Sequence, residues 1–276
     1  MKKKNRFLAN KTFVVFSILA VCIILTAVFA PVVTRGVDPL KGSLVDALLP
    51  PCKEHIFGTD KMGRDIFSRV IYGARASLSA TFGVVALIFL VGTVTGVLAG
   101  YFGGVIDAVI MRIADMMLAF PGLVLALAVA GIMGASIKNA IIAIVVVSWT
   151  KYARLSRSLV LQIKRRDYVE AAIVNGGTSP HILWVHILPN ILPMMVITAA
   201  ADIGALMMEL AGLSFLGLGA KPPVAEWGSM MSDTRSLMTT SPWITFSPGI
   251  AIFISVMIFN LLGDTIRDYA DPKSRR

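Results

Sequence analysis

The feature that most limits what this chain can fold into is a set of apolar runs close to the length of a bilayer crossing. A membrane helix needs about 20 mostly apolar residues. Six stretches approach that: 13–33, 78–100, 113–133, a run from 139 that stays apolar only to 149, 191–213 and 248–262. With no water in hydrocarbon, every backbone N–H and C=O must find a partner inside the protein, so such runs fold as helices. With 56% hydrophobic residues, 15% charged and a mean hydropathy of +0.78, the chain is too poor in polar surface for a soluble domain of 276 residues. The expected fold is all-α: a polytopic membrane protein with about six transmembrane helices and both termini cytoplasmic.

The first run follows the basic stretch MKKKNRFLANK. A signal-peptide core is about 7–15 residues and ends at an A-x-A-like site. Residues 13–30 are longer and lack a clear site, so an uncleaved anchor is expected. The 139–149 run is expected to continue as helix out of the bilayer through TKYARLSRSLVLQI.

The net charge of +10 and pI near 9.9 raise the question of nucleic acid. The apolar content argues against it, and basic loops on one membrane face explain the same excess. With the N-terminus inside, Lys2, Lys3, Lys4, Arg6, Lys11, Lys151, Arg154, Arg157, Lys164, Arg165 and Arg166 share one side. The seven cations of the first outside segment are offset by Asp38, Asp46, Glu54, Asp60 and Asp65. The layout that follows is a cytoplasmic tail (1–12), a first transmembrane helix (13–33) and an extracytoplasmic segment (34–77). A transmembrane core (78–266) comes next, with a cytoplasmic loop at 164–190 and an extracytoplasmic loop at 212–243, then a cytoplasmic tail (267–276). After Gly63, the residues Ile66, Phe67, Val70 and Ile71 fall at helical spacing, as in a helix lying on the outer surface of the bundle. The Gly- and Pro-rich 212–243 loop reads as re-entrant or irregular.

Catalytic chemistry has no visible constellation here. The chain contains no G-x-x-x-x-G-K-[ST], no H-E-x-x-H and no G-x-S-x-G. Its three histidines, His55, His181 and His186, lie outside the expected spans. No catalytic residue, metal ligand or bound cofactor is therefore expected in this chain. Cys22 and Cys52 sit in an apolar and a polar run, which does not read as a disulfide framework.

Acids in or near spans are functional candidates by default. Asp202 and Glu209 are seven apart, on one helical face, and either line a translocation pathway or serve helix packing. Packing is favoured for Asp115, and for Met207, Met208, Met230 and Met231 over soft-metal ligation. Pro121 is expected to kink the third span.

The most informative polar interruption is EAAIVNGGTSPHILWVHILPN, residues 170–190. A short helix is expected before the Gly176–Gly177 turn. A second helix starts near Thr178 or Ser179, with Pro180 in its first turn and Pro189 and Pro193 leading into the fifth span. Ile182, Leu183, Trp184 and Ile187 either fit a groove in another protein or pack beneath the bundle.

Glu170, Ala171, Ala172, Gly176, Leu188 and Pro189 fall at the spacing E-A-A-x3-G-x9-I-x-L-P, with His186 in place of the usual Ile. This resembles the EAA loop of binding-protein-dependent ABC importer permeases. The stretches FGTDKMGRDIFSRVIYGARASL (57–78), GLSFLGLGAKPPVAEWGSMM (212–231) and FNLLGDTIRDYADP (259–272) resemble the C-type permease subunit of dipeptide, oligopeptide and nickel importers. The likeness covers nearly all of the chain after residue 50, and parts of it look more like nickel or metal-chelate permeases than dipeptide ones. It implies an ABC importer permease fold and an ATP-driven importer for peptides or nickel chelates, in a bacterial-type inner membrane. It also implies a second homologous permease, two cytoplasmic ATPase subunits that carry ATP and Mg, and an extracytoplasmic substrate-binding protein. Glu170, Ala171, Ala172 and Gly176 would then carry the ATPase contact, with His186, Leu188 and Pro189 closing the motif. An ion-gradient-driven secondary transporter and a membrane-embedded enzyme are the competing classes. The first would favour inverted repeats, and none is visible.

Overall fold

The computed structural model describes the backbone of residues 11–270 and side chains through Asp268. Most of the two expected tails, at 1–10 and 271–276, lies outside the described residues. The described chain is nearly all helix. Its only strand-like pairings are two isolated bridges, Gly42–Arg64 and Thr59–Asp65. Helix α1 is Lys11–Val28, α2 Ile66–Phe102, α3 Gly104–Leu118, α4 Gly122–Met133, α5 Ile137–Lys164 and α6 Asp167–Val174. Helix α7 is Leu188–Leu213, α8 Trp227–Thr234 and α9 Pro242–Ala270.

Among the described residues, four helical stretches are long and apolar enough to cross a bilayer: α1, α2, the continuous run Ser179–Leu218 that contains α7, and α9. The third expected span is a broken one. Helices α3 and α4 pass the same test only together, and they meet at a bend of 94°. Pro121 stands at that break, where it has no N–H to give and biases Phe120 away from helical backbone. Helix α5 continues through TKYARLSRSLVLQI as expected, and its cations keep the whole helix out of the apolar set.

The segment after Gly63 departs from the expected surface helix. Ile66 and Val70 are the first turns of the 37-residue α2 and are buried. The loop before them acts as a cap. Asp65 accepts a hydrogen bond from the Ser68 N–H at 2.7 Å, the N-terminal capping arrangement, and also pairs with His55 Nδ1 at 2.9 Å. Asp60 accepts from Arg64 Nε at 2.7 Å and from the Met62 and Arg64 backbone N–H groups. Gly58 and Gly63 have positive φ, so glycine suits both turns. Arg75 donates to the carbonyls of Ala27 and Val28 at 2.6 Å, satisfying the open C-terminal end of α1.

Lipid offers little hydrophobic drive between helices, so close packing of small residues holds them together. The α2–α5 crossing is built that way. Gly92, Gly96 and Gly100 form one stripe of α2 against Tyr152, Ala153, Ser156 and Val160. A Cβ at Gly96 would lie 2.3 Å from the Ala153 carbonyl oxygen. Ser156 Oγ donates to the Thr93 carbonyl across the crossing at 3.1 Å. The α7–α9 crossing repeats the device. Gly204 faces Asn260 and Val256, and Gly263 faces Ala200 and Ala201.

The 212–243 loop holds an ordered helix. Gly217, at φ +88, breaks the end of the long helical run, and α8 then tucks back against the bundle. Glu226 is 1% exposed and caps α8, accepting from the Gly228 and Ser229 N–H groups at 2.9 Å and from Ser77 Oγ of α2. Trp227 Nε1 donates to the Val70 carbonyl, and Gly73 leaves room for its ring. Replacing Glu226 with Ala removes a cap and takes the acceptor from the Ser77 hydroxyl, which keeps only the Trp227 N–H, at a cost of about 2–3 kcal/mol. A lower melting temperature of the detergent-solubilised chain is expected, and Glu226→Gln, which keeps an acceptor, should cost less.

Met207 and Met230 sit in the core shared by α1, α2, α8 and α9, as the packing reading expects, whereas Met208 points outward.

Candidate functional site

The 170–190 stretch folds as a helix, a tight turn and a second helix. In α6, Val169 is fully buried, while Glu170 and Ala171 are exposed and Ala172 is half-buried. Gly176 turns the chain at φ +80. The N–H of Gly177 donates to the Ala172 carbonyl at 3.0 Å, and a Cβ on Gly177 would lie 2.7 Å from that oxygen. Glycine is needed at both positions, for different reasons: backbone hand at the first and close approach at the second.

Thr178 occupies the N-cap position without a side-chain bond, and Pro180 stands in the first turn. The second helix then runs through a π-helical segment, Ile182–Ile187, straight into α7. Leu188 and Pro189 therefore belong to the continuous helix, and neither Pro189 nor Pro193 separates the projection from the span.

The four apolar residues expected to share one fate divide between two. Ile182 and Ile187 are buried with Val97, Tyr101, Val160, Val169 and Ile191, a small core that roots the projection to α2 and α5. Leu183 packs at its edge. Trp184 is 72% exposed, and Val174, at the tip of α6, is 85% exposed. Tyr168, Ile173 and Val185 on the same two helices are exposed as well. His186 is half-buried, its ring 5.8 Å from that of His181 and 6.1 Å from that of Tyr168. Its departure from the motif thus leaves it in a cluster of rings.

The two pathway candidates differ in environment. Asp202 on α7 accepts from Lys151 Nζ at 2.7 Å and from the Tyr152 hydroxyl at 3.0 Å, both on α5. Glu209 is exposed and makes no hydrogen bond or ion pair among the described residues. Asp115 pairs with Arg154, in agreement with its packing assignment.

Among the acids that face α5, Asp107 was not singled out by the sequence. Asp107 on α3 accepts two hydrogen bonds from Arg157 at 2.5 Å each. The signal was present in the three-residue spacing of Lys151, Arg154 and Arg157, which sets three cations along α5. Each meets an aspartate from α3 or α7. Lys151 stays 61% exposed, so its ion pair contributes under about 1 kcal/mol. Asp202→Asn is expected to leave the chain folded with a melting temperature a few degrees lower, read by thermal denaturation in detergent.

The comparisons agree with this architecture. Residues 92–276 match the family of binding-protein-dependent transport system inner membrane components. The dipeptide transport system permease protein of Alkalihalophilus pseudofirmus is 42% identical over 96% of this chain and 87% of its own length. The nickel transport system permease protein of Escherichia coli is 38% identical over 97% of both chains. In fold, the chain is similar to one from an inward-facing form of the MetNI methionine ABC transporter. The TM-score is 0.58 at 18% identity, over 75% of this chain and 98% of that one. The chain therefore belongs to the family of binding-protein-dependent transport system inner membrane components: it is a multi-pass membrane permease of the ABC importer class.

Proposed function

We propose that this permease forms half of the translocation pathway of an ATP-driven importer for peptides or nickel chelates, in a bacterial-type inner membrane. The 170–190 projection is its coupling element, standing on the cytoplasmic face as the distribution of Lys and Arg favours. The observation that carries this reading is the division within the projection. A buried base of Val169, Ile182 and Ile187 anchors it to α2 and α5, and an exposed apolar tip of Val174 and Trp184 is free to enter a groove in a cytoplasmic ATPase. Glu170, Ala171, Ala172 and Gly176 form the contact edge, and the small alanines permit close approach. His186, Leu188 and Pro189 join the projection to α7, so motion of the tip is passed directly into a membrane helix.

ATP and Mg act on two partner ATPase subunits, and their closure moves the projection between two states of the assembly. A second homologous permease completes the pathway. An extracytoplasmic binding protein selects the cargo, and the dipeptide and nickel permeases among the relatives support those two cargo classes. Of the two membrane acids, Glu209 is assigned to the pathway and Asp202 to holding α7 against α5. Glu209→Gln should change transport rate more than stability, and Asp202→Asn the reverse. Paired uptake and melting measurements on the two variants test the assignment.

A further inference from the structure

We propose that the far end of α5 carries a binding site for the phosphate headgroup of an anionic phospholipid. Arg157, Ser158, Leu161, Gln162, Arg165 and Arg166 line an open groove of about 610 Å³ along one face of that helix. No carboxylate is among its lining residues. Arg154 and Arg157 are neutralised by Asp115 and Asp107, but Arg165 and Arg166 make no side-chain hydrogen bond or ion pair among the described residues. Both residues are exposed. The nearest acid in sequence, Asp167, lies in the first turn of α6 rather than in the groove.

Depth in the bilayer points to lipid. Gly100, where the apolar run 78–100 of α2 ends, packs against Arg157 and Val160 of α5, which sets Arg157 at the edge of the hydrocarbon layer. Arg157 to Arg166 then lie at headgroup level. The Asp107–Arg157 pair sets the start of α3 beside the groove, where Val105 is 79% exposed and Ile106 is exposed too. Phe102, half exposed, stands at the end of α2, and Lys164 donates to the carbonyl of the buried Tyr101 at 2.7 Å. An apolar wall for acyl chains thus adjoins a polar, cationic groove for the headgroup. Basic pockets at this level are suited to anionic headgroups, each cation near the surface being worth about a factor of five in affinity. Guanidinium forks match phosphate oxygens bidentately.

The test uses the full chain with the subunits that copurify, in nanodiscs of phosphatidylcholine with a minor fraction of phosphatidylglycerol. Native mass spectrometry after detergent release counts the lipid retained. Wild type is expected to retain phosphatidylglycerol over phosphatidylcholine. The Arg165→Gln/Arg166→Gln double variant should lose that preference roughly thirtyfold, while Arg235→Gln, at the other end of the bundle, keeps it. Equal retention by wild type and double variant would overturn the site. Displacement of the lipid by inorganic phosphate would make the ligand a soluble phosphate and overturn the lipid assignment. Loss of a copurifying subunit from the double variant, equally in both lipid compositions, would identify a protein contact instead. Size-exclusion profiles of the variant check that it remains folded, and both substituted side chains are already solvent-facing.

Discussion

Val174→Asp is expected to abolish ATP-driven uptake while leaving the chain folded in the membrane. Val174 is 85% exposed in the chain itself, so an aspartate there changes the stability of the chain by no more than about 0.5 kcal/mol. In the proposed docked assembly the same position would be enclosed, and an unpaired carboxylate buried in an apolar groove costs several kcal/mol. That corresponds to a loss of about a hundredfold or more in affinity for the ATPase. Trp184→Ala should act the same way through lost contact, because a large exposed aromatic is the usual anchor of such an interface. Gly176→Val acts by a third route. It forces a β-branched residue to φ +80, with nothing within 4 Å to clash, so its effect is backbone strain in the turn. Pull-down of the ATPase, and uptake in membranes normalised to the amount of chain present, separate these outcomes. Normal uptake by Val174→Asp would remove the coupling role from the projection.

The largest stability effect is expected at Gly96. A Cβ there would sit 2.3 Å from the Ala153 carbonyl oxygen and 2.7 Å from Ser156 Cβ, and the first of these is backbone that cannot swing aside. Gly96→Val must therefore push α2 and α5 apart, giving up the Ser156–Thr93 hydrogen bond and contacts along the whole glycine stripe. The cost is about 3 kcal/mol or more. Little folded chain should be recovered from membranes. Gly83→Val is the matched control, on the same helix with nothing within 4 Å of the added Cβ, and should be recovered like wild type.

Much of the fold could be read from periodicity and length. Helix α1, the core of α2 and the spans within α7 and α9 follow from apolar runs, and those runs also set the class of the protein. The breaks were less legible. Pro121 marked a kink in the third span, as found, but hydropathy sees one span there and does not anticipate two helices at 94°. The early start of α2 was hidden because its first turns are amphipathic, and the capping role of Asp65 shows only when the 55–65 loop is folded.

The projection at 170–190 was legible as helix, turn and helix from its glycines and Pro180. Which of its apolar residues point inward was not. An i, i+5 spacing of Ile182 and Ile187 falls on one face only because the segment is π-helical rather than α-helical, and a 3.6-residue pattern does not anticipate that. The buried Glu226 escaped for a similar reason: an acid in a Gly- and Pro-rich loop reads as surface until α8 is seen to need a cap.

The most direct test of the account is a photo-crosslinking residue placed at position 174 in the assembled transporter. An adduct to a cytoplasmic ATPase subunit, whose yield changes when ATP and Mg are added, is the predicted result. Adducts to lipid alone, or to a protein on the extracytoplasmic side, would contradict both the coupling role and the orientation on which it rests.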